Sequence, residues 1–191
     1  MSEDWDGYWS SGGLRRRIIE WVRKVHFAKA FAGAVRNEAP EGRVLEAGCG
    51  SGMSLAYLND KATTFGVDSS SEALERARGN CRFAVACDIR RHLPFRDGSF
   101  DLVFNQGVME HFEAEEFTTI VREFKRVSGR VLIILPGNLS IFRLWNPFEE
   151  LHGTFYSRKD LHLLMTRELR NVRTTHLPRA FFSSVAGYGE R

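Results

Sequence analysis

The residues best suited to chemistry begin with a glycine-rich segment, Glu46–Gly52 (EAGCGSG), directly after a predicted strand. Glycines at alternate positions let the backbone turn sharply and let a ligand approach where a side chain would clash. Asp68 ends the next predicted strand, 20 residues after Gly48, and a carboxylate there can accept two hydrogen bonds from a ribose diol. The alternative role for this position is the N-cap of the following helix, which Ser69 or Ser70 would fill equally well.

The spacing of the glycines indicates which nucleoside the segment would bind. A dinucleotide-binding segment has the pattern G-x-G-x-x-G, in which the third glycine allows close packing under a pyrophosphate. Here the third glycine, Gly52, comes one residue early, and Met53 occupies the position that the pattern reserves for glycine. The phosphate-binding pattern G-x-x-x-x-G-K-[ST] is also absent from the sequence. The spacing therefore favours a nucleoside without a pyrophosphate, with S-adenosylmethionine as the candidate cofactor, over a nicotinamide-dependent oxidoreductase.

The elements that must position these residues alternate between short apolar runs and helical stretches. The predicted strands are Arg43–Ala47, Thr63–Val67, Arg82–Ala86, Phe100–Asn105, Arg130–Leu135, Val172–Leu177 and Ala180–Val185. The predicted helices between and after them are Ser51–Asn59, Ser70–Arg78, Ala114–Val127 and Arg158–Glu168. Regular alternation implies parallel strands with helices on both faces, and the last two strands are close enough to pair antiparallel. The prediction is an α/β fold with a doubly wound, seven-stranded, mostly parallel sheet and a C-terminal antiparallel hairpin.

The N-terminal 36 residues are predicted to be an arm and an amphipathic helix, with the main domain at 37–191. The first 13 residues have the composition of a loop or a loosely docked arm. From Leu14 to Val35, apolar residues recur at helical spacing with a basic opposite face. This helix would pack on the domain, although a basic amphipathic face also suits a partner or a membrane surface. Trp5, Tyr8 and Trp9 would either fold over the site as part of a lid or belong to a disordered terminus.

Composition excludes several classes of protein. Of the 191 residues, 43% are hydrophobic and 27% are charged, which is typical of a folded globular chain. The longest aliphatic run, Val131–Leu135, is far too short to span a membrane, and the N-terminal residues lack a signal-peptide pattern. The three cysteines lack metal-binding spacing, so we expect no metal and a cytoplasmic location. The net charge of +3 comes from scattered basic residues, so we do not expect nucleic acid as a partner.

From Val44 to Leu135 the chain resembles the class I S-adenosylmethionine-dependent methyltransferases, and especially their small-molecule and ubiquinone-biosynthesis-like members. The segments that carry the resemblance are VLEAGCGSG, GVDSSSEALERAR, Cys87–Ile89, Leu93–Phe95 and Gly98–Val103. The resemblance implies that Glu46 faces the methionine ammonium, Gly48, Cys49 and Gly50 line the methionine, and Asp68 and Ser69 bind the ribose and the adenine edge. It further implies that Asp88 and Ile89 contact the adenine, and that Asn105 and Gln106 meet the methionine. Asp88 is also suited to capping the turn ahead of Ile89.

The acceptor side of the site is less clearly specified. His111 and His152 are the candidate catalytic bases, and Tyr156, Trp145 and Trp9 are the candidate substrate contacts. Structural roles are the alternatives. His111 would instead cap a helix or lie on the surface, and His152 and Tyr156 would belong to a packed loop before a Ser157 N-cap. Trp145 belongs to the aromatic segment 138–151, which suits either a cover for a small, partly hydrophobic acceptor or a dimer surface.

The function predicted from the sequence is methyl transfer from S-adenosylmethionine to a small-molecule acceptor by in-line displacement, in a monomer or a homodimer. The cofactor supplies an activated methyl group, so the protein needs mainly to align the acceptor and exclude water. Two alternatives remain open at this point. One is a macromolecular methyltransferase that acts on protein or RNA, and the other is a non-catalytic protein that binds S-adenosylmethionine.

Overall fold

The computed structural model describes residues 5–10, 28–39, 41–136, 154, 156–179 and 182–191. Its α-helices are α1 (Trp5–Ser10), α2 (Lys29–Glu38), α3 (Met53–Ala56), α4 (Ser71–Ala77), α5 (Ala114–Val127) and α6 (Arg158–Thr166), and Met109–His111 is a 3₁₀ helix. Its strands are β1 (Gly42–Ala47), β2 (Ala62–Asp68), β3 (Phe83–Ala86), β4 (Leu102–Gln106), β5 (Arg130–Pro136), β6 (Arg170–Arg179) and β7 (Phe182–Glu190). Among the described residues, none of the helices has the length and apolar character needed to span a lipid bilayer.

The seven strands form one sheet in the order β3-β2-β1-β4-β5-β7-β6. The first five are parallel, and β7 pairs antiparallel with both β5 and β6. The strand order reverses between β1 and β4, so their carboxyl ends border the crevice where open α/β sheets bind ligands. This architecture confirms the predicted fold, including the antiparallel strands at the C-terminus.

Both faces of the sheet are buried, because helices pack on each side. On one face Leu45 of β1 lies in a cluster with Phe117 and Phe124 of α5. On the other face Val44, the preceding residue of β1, lies in a second cluster with Val35 of α2. Successive strand residues point to opposite faces, and a strand with two buried faces therefore appears in the sequence as a continuous apolar run.

Three element predictions need correction. The N-terminal arm, predicted as a loop or a loosely docked arm, contains a helix, α1, whose aromatic residues dock on the domain. Helix α3 covers only Met53–Ala56 of the predicted Ser51–Asn59. Strand β7 continues to Glu190, well beyond the predicted Val185. A side chain at Gly187 would overlap Met165 and Leu161, so the bare backbone of this strand allows α6 to pack closely.

Other predictions at the N-terminus remain open. Of the predicted amphipathic helix from Leu14 to Val35, residues 14–27 lie outside the described residues. Its last part belongs to α2, which continues to Glu38 and buries Ala32 and Val35 in the core. The division of the chain at residue 36 stays a prediction.

Candidate active site

The glycine loop after β1 is held between the ends of β2 and β4. The backbone N–H groups of Gly48 and Cys49 both donate to the carbonyl of Val67, at 2.8 and 2.9 Å. Gly48 has a φ of +75°, and a Cβ at this position would lie 2.8 Å from a methyl carbon of Val108. The close approach of Val108 and the left-handed backbone therefore both require glycine at this point.

Glu46 is a fully buried acid at the carboxyl end of β1. Its exposed fraction is 0%, and neither carboxylate oxygen has a hydrogen-bond partner among the described residues. Burial, reinforced by the negative charge of Asp68, raises the pKa of Glu46 well above its usual range. A buried carboxyl group without a partner is costly, and a ligand that carries a cation would remove that cost. Glu46 thus fits the role that the resemblance implies for it.

Asp68, at the end of β2, organises the loop as well as facing the crevice. Its carboxylate accepts hydrogen bonds from the backbone N–H groups of Gly50, at 2.8 Å, and Ser70, at 2.9 Å. Desolvation raises the pKa of Asp68, with a further contribution from Asp6, against the opposing effect of the backbone hydrogen bonds. The N-cap of α4 is Ser70, whose hydroxyl accepts from the N–H of Ala73. Asp68 is therefore not that cap, and the exposed Ser69 follows it beside the crevice.

Asp88 follows β3, whose last residue Ala86 pairs with Asp68, and it has a partner of its own. The N–H of Cys87 donates to the carbonyl of Asp68 at 2.9 Å, which joins the ends of β3 and β2. The carboxylate of Asp88 accepts from the backbone N–H of Arg90 and from its guanidinium, at 3.0 and 2.7 Å. These hydrogen bonds from Arg90 lower the pKa of Asp88. The turn-capping alternative is thus present, and the adenine contact stays a prediction.

Ile89 is buried, and its side chain belongs to the hydrophobic core on the α5 face of the sheet. This position is compatible with a supporting role beneath the crevice. Its contact with adenine stays a prediction.

The end of β4 contributes two amides. Asn105 is completely buried and donates from Nδ2 to the carbonyl of Ala47, while its Oδ1 has no partner among the described residues. The Oε1 of Gln106 accepts from the hydroxyl of Ser54 at 3.0 Å, which ties β4 to α3. The role of the buried Ser54 was missed from the sequence, since a serine early in a helix gives no distinctive signal. The amide of Asn105 thus fixes the carbonyl at the start of the glycine loop.

Helix α1 lies over this crevice. The sequence left open whether its aromatic residues form part of a lid or belong to a disordered terminus. Trp9 is only 8% exposed, and a Cβ at Gly50 would lie 2.6 Å from the Cζ2 atom of its indole ring. Asp6 accepts a hydrogen bond of 2.6 Å from the hydroxyl of Ser70. The ring of Trp5 meets the ring of His111 edge-on at 5.2 Å. Aromatic residues in an otherwise polar terminus were the sequence feature that indicated packing of these residues on the domain. Residues 5–10 form a docked helix, so they are not the disordered terminus that was the alternative.

The structure describes only some of the candidate residues on the acceptor side of the site. The Tyr156 hydroxyl donates to the carbonyl of Phe112 at 2.7 Å, and burial raises the pKa of this phenol. Ser157 forms the predicted N-cap, with a capping box to Asp160. His111 lies in the 3₁₀ helix after β4, beside Trp5. His152 and Trp145 lie outside the described residues.

A family of methyltransferase domains matches residues 45–133. Those residues are a methyltransferase domain. The match confirms the resemblance to class I S-adenosylmethionine-dependent methyltransferases, and it covers the end of β1, the glycine loop and all the candidate cofactor residues from Glu46 to Gln106.

Relatives of this methyltransferase domain differ in what their names say they act on. The human "Probable tRNA methyltransferase 9B" is 25% identical over 157 residues, which cover 82% of this chain and 33% of that protein. The malonyl-[acyl-carrier protein] O-methyltransferase of Geobacter sulfurreducens is 27% identical over 206 residues, covering 98% of this chain and 68% of that protein. The chain thus spans about a third of the length of the first curated relative. These relatives do not support the expectation that nucleic acid is absent from the partners.

A solved structure shares the fold of this chain. Magnesium protoporphyrin IX methyltransferase from Synechocystis, solved with S-adenosylhomocysteine bound, superposes with a TM-score of 0.71 at 17% identity. The match covers 98% of this chain and 92% of that one. At this identity the likeness concerns the fold, so the roles of individual side chains depend on the geometry described above.

Proposed function

We propose that this protein is an S-adenosylmethionine-dependent methyltransferase. The observation that carries the proposal is Glu46, an unpartnered carboxyl group with no solvent exposure at the carboxyl end of β1. The ionised form of a buried acid is stabilised by a cationic partner, and the methionine end of the cofactor carries an ammonium group. The position beside the topological switch point is where an α/β sheet binds such a ligand.

The proposed cofactor contacts are those that the resemblance implies. They are Glu46, Gly48, Cys49, Gly50, Asp68, Ser69, Asp88, Ile89, Asn105 and Gln106. Support differs among them, since Glu46 and Asn105 hold unpartnered buried oxygens, whereas Asp88 is already paired with Arg90. We expect the two ends of the cofactor to differ accordingly, with the methionine end bound in a preformed pocket.

When bound, the cofactor supplies a methyl group on a positively charged sulfur with a neutral leaving group. The residues of this chain are then needed to hold the methyl donor, orient the acceptor and exclude water. Asn105 positions the start of the glycine loop through the carbonyl of Ala47, and Gln106 fixes the end of β4 against Ser54. Both contacts position the backbone and transfer no proton. A general base is needed only when the acceptor binds in its protonated form.

The acceptor that we propose is a small molecule. Helix α1 lies over the crevice, and the segment that contains Thr154 and Tyr156 is tied to the residues after β4. That segment is held by the hydrogen bond from the N–H of Thr154 to the carbonyl of Glu110, at 2.6 Å, and by the Tyr156 bond to Phe112. Enclosed sites are typical of small-molecule ligands. His111, His152, Trp9, Trp145 and Tyr156 remain candidates for the acceptor side, with Tyr156 as a packing contact rather than a base.

RNA is the second candidate acceptor, because the human relative is named as a tRNA methyltransferase.

The compartment that we propose is the reducing cytoplasm, which is supported by three cysteines that all remain free.

The test has two stages. Calorimetry of the purified protein with S-adenosylhomocysteine, and in parallel with NAD, should show binding of the first ligand only. Release of S-adenosylhomocysteine from S-adenosylmethionine is then measured with pooled small acceptors and with total tRNA. Turnover with small acceptors supports the proposal, turnover with tRNA alone selects the second candidate, and binding without turnover indicates a non-catalytic binding protein. Absence of binding would overturn the assignment.

A further inference from the structure

Helix α1 spans the three loops that form the proposed cofactor crevice. Asp6 contacts the residues after β2, Trp9 contacts the glycine loop after β1, and Trp5 contacts the residues after β4. One short helix therefore lies across the carboxyl ends of three neighbouring strands. Any ligand that reaches the glycine loop from this side has to pass α1.

The contacts of Asp6 join the helix to the start of α4. Its carboxylate accepts from the hydroxyl of Ser70 at 2.6 Å, from the hydroxyl of Ser71 at 3.4 Å and from the N–H of Glu72 at 3.4 Å. The hydrogen bond from Ser70 is the main cause of the lowered pKa of Asp6. The same Ser70 donates its backbone N–H to Asp68, so the residue that holds α1 also holds the proposed ribose carboxylate.

Trp9 forms the second point of attachment. Its ring covers the backbone of Gly50, and the guanidinium of Arg76 in α4 donates to the carbonyl of Trp9 at 2.8 Å. The carbon at the centre of that guanidinium also lies 5.7 Å from the centre of the Trp9 ring, a distance at which a cation is attracted to the ring face. Trp9 thus lies between the glycine loop and α4.

Because α1 is short, its folding depends on these contacts. A helix of six residues is too short to be stable in water without tertiary packing. Its attachments are few, namely the hydrogen bond from the buried Ser70 and the ring contacts of Trp9 and Trp5, and a short segment with few attachments opens locally at a smaller cost in free energy than the whole fold. We therefore expect an undocked state of the helix in exchange with the docked one.

We propose that α1 is a latch that opens to admit the cofactor and closes again over it, with Asp6–Ser70 and Trp9–Gly50 as its two closing contacts. The inference rests on the proposed function, because it takes the crevice as the cofactor site. A latch affects entry and exit together, since both need the undocked state. A residue that only touches the bound cofactor would affect exit alone.

Stopped-flow measurement of S-adenosylhomocysteine binding to the full chain tests the latch. In Asp6→Ala, which removes the hydrogen bonds from Ser70, Ser71 and Glu72, we expect association and dissociation rate constants to rise together by roughly two- to fivefold. In Trp9→Phe, which keeps an aromatic ring of smaller area, both should also rise. Ser10→Ala is the matched control, because Ser10 is exposed and, among the described residues, its hydroxyl bonds only within α1, to the carbonyl of Gly7.

A change in dissociation alone, or rates equal to those of the unmodified chain, would overturn the latch. Hydrogen exchange of the cofactor-free protein separates this failure from failure of the proposed function. Asp6→Ala should speed exchange in the peptides that contain residues 5–10 and 48–52, whereas Ser10→Ala should not. Absence of S-adenosylhomocysteine binding with faster exchange would reject the cofactor assignment and the latch over the cofactor with it, while showing that Asp6 holds α1 on the domain. Binding with unchanged exchange would reject the latch alone.

Discussion

The indole ring of Trp9 lies against the backbone of Gly50, in the space that a side chain at position 50 would occupy. Gly50 also has a φ of +51°, a conformation that favours glycine. We expect Gly50→Ala to displace the indole and to lower the free energy of unfolding by about 1–2 kcal/mol through backbone strain. Tryptophan fluorescence and chemical denaturation measure the two effects.

Gly129→Ala is the control for this substitution, because a Cβ there meets no atom within 4 Å. It should leave both the emission and the stability unchanged. Emission from Gly50→Ala that matches the unmodified chain would show that Trp9 is not held at the glycine loop in solution.

Glu46 should destabilise the cofactor-free fold at neutral pH. Burial raises its pKa in the folded state, so the folded protein is most stable below the usual glutamate pKa and loses that stability as the pH rises through the raised value. Glu46→Gln removes the titration and keeps the shape. We expect its melting temperature at pH 7 to equal or exceed that of the unmodified chain, while its affinity for S-adenosylhomocysteine falls by roughly tenfold or more. The exposed Glu75→Gln is the control, and a lower melting temperature for Glu46→Gln alone would contradict the assignment.

The same carboxyl group makes cofactor binding dependent on pH. A cationic ligand favours ionised Glu46, whereas the free protein favours the protonated form. We expect affinity for S-adenosylhomocysteine to fall as the pH drops through the raised pKa of Glu46, with proton release on binding. Calorimetry in buffers of different ionisation enthalpy measures the released proton, and Glu46→Gln should lose most of it. Equal proton release from the two proteins would assign the effect to another group.

Asp68 and Asp88 should contribute unequally to cofactor binding. Asp68→Ala removes the proposed diol contact and the acceptor of two backbone N–H groups, so we expect affinity to fall at least about tenfold, or about 1.4 kcal/mol. Asp88→Ala should cost less, because its carboxylate is already paired with Arg90. Calorimetry of both variants decides the order. Asp68→Asn keeps one acceptor for the loop and is the control for a folding defect. Unchanged affinity in both Asp68 variants would remove the ribose assignment.

Tyr156 should behave as a packing residue. Tyr156→Phe removes the donor to the Phe112 carbonyl and should lower the free energy of unfolding by about 1 kcal/mol. Because burial raises the pKa of this phenol, we expect the pH profile of methyl transfer to keep its shape. Loss of the alkaline limb of that profile would instead identify Tyr156 as the base.

The order of the elements and the place of the cofactor site were predictable from local sequence. Buried parallel strands give continuous apolar runs such as Val131–Leu135, and only glycine suits the sharp turn after β1. The acid at Asp68 followed from its spacing to Gly48, since a strand, a turn and a helix have nearly constant lengths. These features depend on residues close together in the chain.

Tertiary structure decided the partners of the side chains. Whether Asp88 pairs with Arg90, whether the Tyr156 hydroxyl is occupied, and whether Trp9 docks on Gly50 depend on backbone positions brought together by folding. The first 13 residues looked like a loop because a six-residue helix has little intrinsic stability, and contacts with Ser70 and Gly50 make it form. The pattern of residues determined where the crevice lies, while long-range packing determined what closes it.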